Sequence, residues 1–380
     1  MLLQSFDQVL DRGHTQSIRW DKYGPDVIPL WVADMDFKAP DCVIESLHER
    51  ISHGVFGYTY ASSTLKESII AYVQSNYDWK IEASWIHFLP SVVTGLHLSV
   101  RTLTQVDDHV LIPGPAYHHF KDAVVGAGRD YSVYDMQLQD GRAIFSLEQL
   151  QALVRTNTRL LMLCNPHNPG GTVLTKNELE PLAKFAQEHQ LIICSDEIHA
   201  DLILDEGVRH TPIGSVSDEI AGQSFSLMSL NKTFNFPGLG LAWVICPNPD
   251  ISQQLLNDVQ TLIPHPNLFA YEATQAALDH GQEWRQALIH YLRINRDLVM
   301  QRINAMPGVS MAHLQATYLA WIDVQQKQWT NPFERFLQAG VALSPGSQFG
   351  APQFVRLNFG TQRAILEKAL DRMEAICRSS

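Results

Sequence analysis

The chain is 380 residues long, 45% hydrophobic and 18% charged, an ordinary globular composition that at about 100–200 residues per domain predicts two domains. Lys plus Arg total 28 against 40 Asp plus Glu, a net charge of −12, with no basic excess or stripe of the kind nucleic-acid binding needs. No apolar run approaches the roughly 18 residues that span a bilayer, and a chain of this size buries enough core to fold without disulfides or metal.

The first residues, MLLQSFDQVLDRG, meet Asp7 early and have no basic n-region, so they do not read as a secretory signal. The N-terminal segment is rich in Trp and Pro and is expected to pack on a neighbouring domain without a sheet of its own. The stretch Leu89-Pro90-Ser91-Val92-Val93-Thr94-Gly95 leads into the helical pattern LHLSVRTL. Five short apolar runs follow: HVLIP (109–113), RLLMLCNP (159–166), LIICSDE (191–197), FSLMSLNK (225–232) and LAWVICP (241–247). Near-continuous apolar runs of this length read as strands buried on both faces. Helical patterns lie between them, such as TKNELEPLAKFAQEHQ before LIICSDE. Strands alternating with helices predict an α/β fold with a mostly parallel sheet.

Beyond residue 250 the texture changes. Trp284, Leu288, Tyr291, Leu292, Val299 and Ile303 share one helical face, and Pro307-Gly308 stops the helix. Three strand-like pieces come next, TYLAWIDV (317–324), GVALSPG (340–346) and FVRLNFG (354–360), and then the helix ILEKALDRMEAI. The expected organisation is a large domain near 47–280 and a smaller α+β domain built from 1–46 and 281–380. The five cysteines, Cys42, Cys164, Cys194, Cys246 and Cys377, are scattered and odd in number, with no C-x-x-C pair. That usage predicts a reducing, cytoplasmic setting and no structural zinc.

In open α/β sheets ligands gather beyond the carboxyl ends of the strands. Asn165-Pro166-His167-Asn168-Pro169-Gly170-Gly171 follows the second run, Asp196, Glu197 and His199 end the third, and Lys232 ends the fourth. Singly, a lysine is usually a solvated charge and an aspartate at a strand end a helix cap. Together they offer an amide, a carboxylate and an amine to one pocket. An amine desolvated by the apolar turn Thr233–Gly238 has a lowered pKa and becomes a nucleophile. This set suits pyridoxal phosphate, which needs a lysine, an anion at its ring nitrogen and a donor beside its phenolate oxygen. The helix start after Leu89 offers N–H groups to a phosphate, although a plain N-cap is the commoner meaning of such a stretch.

NPHNPGG, SDEIH and SLNKTF, in that order, resemble the fold-type I, aspartate aminotransferase-like enzymes that use pyridoxal 5′-phosphate. Asn168 and Asp196 are 28 residues apart, and Asp196 and Lys232 are 36 apart, which suits that family. VADMDF (32–37), HGVFGYTY (53–60) and FVRLNFG narrow the resemblance to the MalY/PatB-type cystathionine β-lyases. The resemblance implies that Lys232 holds the cofactor and moves protons, that Asp196 pairs with the ring nitrogen, and that Asn168 bonds the phenolate oxygen and assists at the substrate carboxylate. It places His199 nearby, where many aminotransferases carry Tyr, and Tyr117 over the ring. Ser229, Val92 and Val93 meet the phosphate, and Tyr58 reaches the phosphate of a neighbouring subunit in a homodimer with shared sites. Arg356 grips the substrate α-carboxylate. Many aminotransferases have an arginine on the phosphate eight residues after the lysine, but this chain has Gly240.

The implied reaction is α,β-elimination of a thiol from L-cystathionine or a related cysteine S-conjugate, leaving pyruvate and ammonia. An aminotransferase shares every step up to loss of the Cα proton. A regulatory or binding protein on the same fold is the rival from another class. Trp31 and Phe37 are candidates for the side-chain pocket, with core packing an equally good reading of either.

Overall fold

The computed structural model describes residues 5–139 and 141–379. A two-residue strand, β1 (Ile28–Pro29), comes first. Eight strands then build the main sheet: β2 (Ile86–Leu89), β3 (His109–Gly114), β4 (Asp130–Gln139), β5 (Arg142–Phe145), β6 (Thr158–Cys164), β7 (Ile192–Asp196), β8 (Ser224–Met228) and β9 (Ala242–Ile245). Their spatial order is β2-β9-β8-β7-β6-β3-β4-β5. The centre, from β8 to β4, is parallel, and the flanks β2, β9 and β5 pair antiparallel.

The apolar runs are strands because both faces are covered. On β6, Leu160, Met162 and Cys164 enter one core cluster, while Leu161 and Leu163 enter another. The helix Lys176–Glu188 covers the second face through Leu179, Leu182 and Ala186, and a capping box between Thr175 and Glu178 starts it. The helix Val92–Leu103 covers the first face, with Ser91 as its N-cap. Gly95 sets its approach, since a Cβ there would stand 2.6 Å from Leu227 Cδ2. Without that side chain the helix start sits close against β8.

Four short strands follow: β10 (Leu319–Asp323), β11 (Val341–Ala342), β12 (Ser344–Pro345) and β13 (Phe354–Asn358). β13 is central in an antiparallel β10-β13-β12 sheet, so Arg356 faces Trp321 on one side and Ser344 on the other. The helix Gln282–Asn304 buries the stripe that its sequence marks out, and Arg363–Arg378 is the last helix of the described residues.

Three features differ from the sequence expectation. β2, β4 and β5 carry no continuous apolar run; β4 buries only Tyr134 and Met136 along its ten residues. GVALSPG is two two-residue strands rather than one. The N-terminal segment joins a sheet after all, because β1 pairs in parallel with β11. It is further pinned by Arg12 on Asp34 (2.6 Å) and Asp36 (2.8 Å) and by the buried Arg19 on Asp36 (2.9 Å). All five cysteines are free. Among the described residues no helix is long and apolar enough to cross a membrane.

Candidate active site

In-register pairing brings three strand ends to one level. Cys164 of β6 lies opposite Asp196 of β7, and Asp196 lies opposite Leu227 of β8. The residues just beyond these ends surround a cavity of about 350 Å³. Asn168, Asp196, His199, Ser229, Lys232, Tyr117, Val92, Val93 and Arg356 all line it. Nine of the ten residues that the family resemblance assigned to the cofactor and the substrate carboxylate therefore meet in one place. The tenth, Tyr58, is fully exposed on its own chain and lies outside the lining.

Lys232 Nζ donates to the Ala33 carbonyl at 2.6 Å. Burial pulls its pKa down to about 8, against the attraction of Asp34. The N-terminal segment reaches it because Asn235 clamps that segment, donating to the carbonyls of Met35 (2.9 Å) and Phe37 (2.6 Å) and accepting from Met35 N–H at 2.8 Å. Beneath the lysine, Thr233 donates to the buried Asp201 at 3.1 Å.

Asp196 and Glu197 are adjacent but live in different surroundings. Glu197 points to the far side, where His210 (2.9 Å), Ser226 Oγ (2.9 Å) and Ile213 N–H (3.0 Å) hold it. Asp196 faces the cavity, and the N–H of Ile198 donates to it at 3.1 Å. Burial raises its pKa to about 7. A carboxylate so desolvated lacks a cationic partner, which a protonated ring nitrogen would supply. His199 is driven the other way: burial first, then Lys232 and Arg356, lower it to about 3. It is neutral, and its Nδ1 is buried without a partner.

Arg356 is buried on β13. Its guanidinium donates to Asn168 Oδ1 (3.0 Å), the Trp31 carbonyl (3.2 Å) and Ser344 Oγ (3.3 Å), and lies 4.7 Å from the Phe349 ring centre. These hydrogen-bond partners are all neutral, its Nε is orphaned, and burial lowers its pKa to about 10. Such a cation is short of a carboxylate.

At the helix start, Ser91 Oγ accepts from Thr94 N–H at 3.0 Å. Ser229 lines the cavity, but its hydroxyl donates to the Leu241 carbonyl at 2.6 Å and accepts from Asn231 N–H at 3.1 Å. In this arrangement Ser229 has no proton left for a phosphate. Gly240 has φ +70°, and a Cβ there would stand 3.3 Å from the Pro90 carbonyl. The left-handed backbone disfavours an arginine at that position, and the Pro90 carbonyl would have to give way slightly to a Cβ. The backbone N–H groups at Val92 and Val93 remain as donors for a phosphate, beside the hydroxyl pair of Ser91 and Thr94. The residues present fit pyridoxal phosphate: an amine, an under-compensated carboxylate, an amide and a helix N-terminus converge on one cavity.

Of the two open candidates for the side-chain pocket, Trp31 lines the cavity and Phe37 does not. It packs in the core with ring centres 5.1 Å from Phe6 and 5.4 Å from Tyr291. Sequence reasoning missed the Ala33 carbonyl, Asn231, Ser344, Gln348 and Phe349. The Pro- and Gly-containing stretch SPGSQFG (344–350) is the signal that could have pointed to the last three.

A family model described as aminotransferase class I and II matches residues 25–373. Cystathionine beta-lyase PatB of Bacillus subtilis (strain 168) is 35% identical, covering 98% of this chain and 99% of the relative. Protein MalY of Escherichia coli (strain K12) is 31% identical over 96% of each. The crystal structure of OvoB superposes with a TM-score of 0.97 at 42% identity and 99% coverage of both chains. That of cystalysin from Treponema denticola, which contains a pyridoxal 5′-phosphate cofactor, has a TM-score of 0.93 at 28% identity and 98% coverage of both. The chain belongs to the class I and II aminotransferase family. Within it, the chain falls with the group that includes PatB and MalY.

Proposed function

We propose that this chain is a pyridoxal phosphate-dependent carbon–sulfur β-lyase that cleaves L-cystathionine or related cysteine S-conjugates to a thiol, pyruvate and ammonia. The observation that carries the reading is the pairing of Lys232, Asp196 and Asn168 at three adjacent strand ends with a buried Arg356 that has only neutral partners. The names of PatB and of the pyridoxal phosphate-bound C-S lyase from Staphylococcus hominis support it.

When bound, pyridoxal phosphate accepts the electron pair left by the departing Cα proton and passes it on to expel the thiolate from Cβ. Arg356 fixes the substrate by its α-carboxylate through a two-pronged contact. Lys232 Nζ, whose pKa burial lowers to about 8 so that more of it is neutral than of a free lysine, takes the Cα proton, a role worth typically 10²–10⁴-fold. Asp196 would keep the positive charge on the ring nitrogen. Asn168 would bond the phenolate oxygen, Tyr117 would cover the ring, and the N–H groups at Val92 and Val93 would hold the phosphate. His199 stays neutral and adds no competing charge. The test is stoichiometry: L-cystathionine gives thiol, pyruvate and ammonia in equal amounts. A keto-acid-dependent amino-group transfer with no thiol released would instead support an aminotransferase.

The lysine sets a pH dependence. Its pKa lies below that of a free lysine, and only the neutral amine attacks the cofactor aldehyde. The rate at which apoprotein captures pyridoxal phosphate is expected to rise about tenfold per pH unit up to about pH 8 and level off above it. Stopped-flow absorbance would follow this; a rate still climbing steeply at pH 10 would mean an amine of ordinary pKa.

The homodimer belongs to the same proposal. Val55, Phe56, Tyr58 and Tyr60 form an exposed apolar run on the isolated chain, and such runs mark interaction sites. Tyr58 then serves the partner's phosphate. Mixing Tyr58→Phe with Lys232→Ala subunits gives hybrids in which one site carries both lesions and the other neither. Partial recovery of activity is the expected result, and a fully active monomer in sedimentation would rule sharing out.

A further inference from the structure

The segment Tyr117-His118-His119 leads into the helix His119–Gly126, which carries Asp122 in its first turn. His118 and Asp122 are four residues apart and His119 and Asp122 three, spacings that bring side chains together on one helical face. Asp122 Oδ2 lies 3.8 Å from His118 Nε2 and 3.6 Å from His119 Nδ1, both beyond hydrogen-bond length. One ligand atom from each of the three residues lies within 4.8 Å of the other two. Zinc held tetrahedrally at about 2.0–2.2 Å keeps its ligand atoms about 3.3–3.6 Å apart. A small adjustment of the side chains therefore closes this cluster on one ion.

The cluster is unsatisfied as it stands. His119 Nδ1 is buried and has no hydrogen-bond partner. Burial, and then His118, lower the His119 pKa, so its ring is neutral at pH 7, the form that ligates a metal. A neutral imidazole gives the Asp122 carboxylate no charge to pair with, whereas a divalent cation between them satisfies both. The helix N-terminus repels a cation weakly, and the Asp122 charge offsets this. On the helix Val92–Leu103, the His97 ring centre is 5.8 Å from that of His119, near enough for His97 to reach a fourth position that water otherwise fills. Imidazole and carboxylate ligands suit zinc and its neighbours among the transition metals. The set contains no cysteine, so the cysteine pattern of the sequence is silent about it.

We propose that His118, His119 and Asp122 bind a divalent transition metal of the zinc class, with water or His97 in the fourth position. The site borders the active one. Tyr117 and His118 line the cavity, and the Tyr117 ring centre is 4.6 Å from that of His118 and 4.9 Å from that of His119. Neither His119 nor Asp122 is placed on cofactor or substrate, so the metal site stands whether the reaction is elimination or amino transfer.

The test is a calorimetric titration of zinc chloride into cofactor-loaded protein that carries no affinity tag. The wild type should bind one ion per chain at this site with a Kd of about 10 µM or tighter, weaker than a structural site with four protein ligands. His119→Phe keeps the ring and Asp122→Ala keeps the helix, and each removes one ligand. Each should weaken binding at least about tenfold, the low end of the loss when even an outer-shell partner of a metal is removed. Asp122 is exposed, so its variant keeps the test decisive if His119→Phe does not fold. The visible band of the cofactor, which neither change should alter, reports that each variant is folded and loaded. Zinc held by the cofactor itself is the same in all three proteins and drops out of the comparison. Unchanged affinity and stoichiometry in either folded variant, or no binding to the wild type below about 100 µM, overturns the site.

Discussion

Replacing Lys232 by alanine is expected to abolish turnover, with a loss of at least about 10³-fold, because the change removes both the covalent anchor and the proton acceptor. The fold should survive. The amine makes one hydrogen bond, to the Ala33 carbonyl, and after truncation that carbonyl still accepts from the Tyr318 hydroxyl at 2.9 Å. The loaded wild type should absorb in the visible range, and borohydride should fix the cofactor on one lysine. Peptide mapping places the adduct on Lys232 if the account is right. An adduct on another lysine would overturn the assignment, whatever the activity of the variant.

The second large effect is at Arg356. Removing one side of a buried, hydrogen-bonded charge pair costs about 2–5 kcal/mol, so Arg356→Ala should lower kcat/KM by about 30- to 4,000-fold, mostly through KM. Arg356→Lys keeps the charge but loses the planar fork and should recover only part of the loss. The control is the cofactor itself. Arg356 donates to Asn168, Trp31 and Ser344 but is placed on the substrate, so the visible absorbance of the loaded enzyme should persist in both variants. Loss of the cofactor band together with activity would show that Arg356 organises the pocket rather than binding substrate.

Much of this site was legible because its residues terminate strands that are apolar on both faces. Runs such as LLMLC and LIICS can be read without knowing their neighbours, and the polar residue after each marks the ligand end of the sheet. β4 was not legible, since it buries two residues in ten and looks like a solvated segment. The contact between Lys232 and Ala33 was also invisible. It uses a backbone carbonyl 199 residues away, and a carbonyl has no sequence signature. The same holds for the N-terminal segment, whose place depends on Arg12 and Arg19 finding Asp34 and Asp36. Trp31 and Phe37 show the limit from another side. Both are aromatic, one residue lines the cavity and the other fills the core, and only three-dimensional packing separates them. Ser229 sits where the motif puts it, yet its proton is committed to Leu241, which residue type alone does not reveal.

The central claim is that the electron pair freed at Cα leaves with sulfur rather than returning to the cofactor. Counting turnovers measures this directly. Loaded enzyme is mixed with a large excess of L-cystathionine and no keto acid, and pyruvate is counted per active site. The account predicts many pyruvates per site, with matching thiol and ammonia, and at most a slow half-reaction with alanine, which has no leaving group. A stall after one equivalent that is relieved by adding a keto acid, with alanine then cycling rapidly, would contradict the lyase reading and establish an aminotransferase in its place.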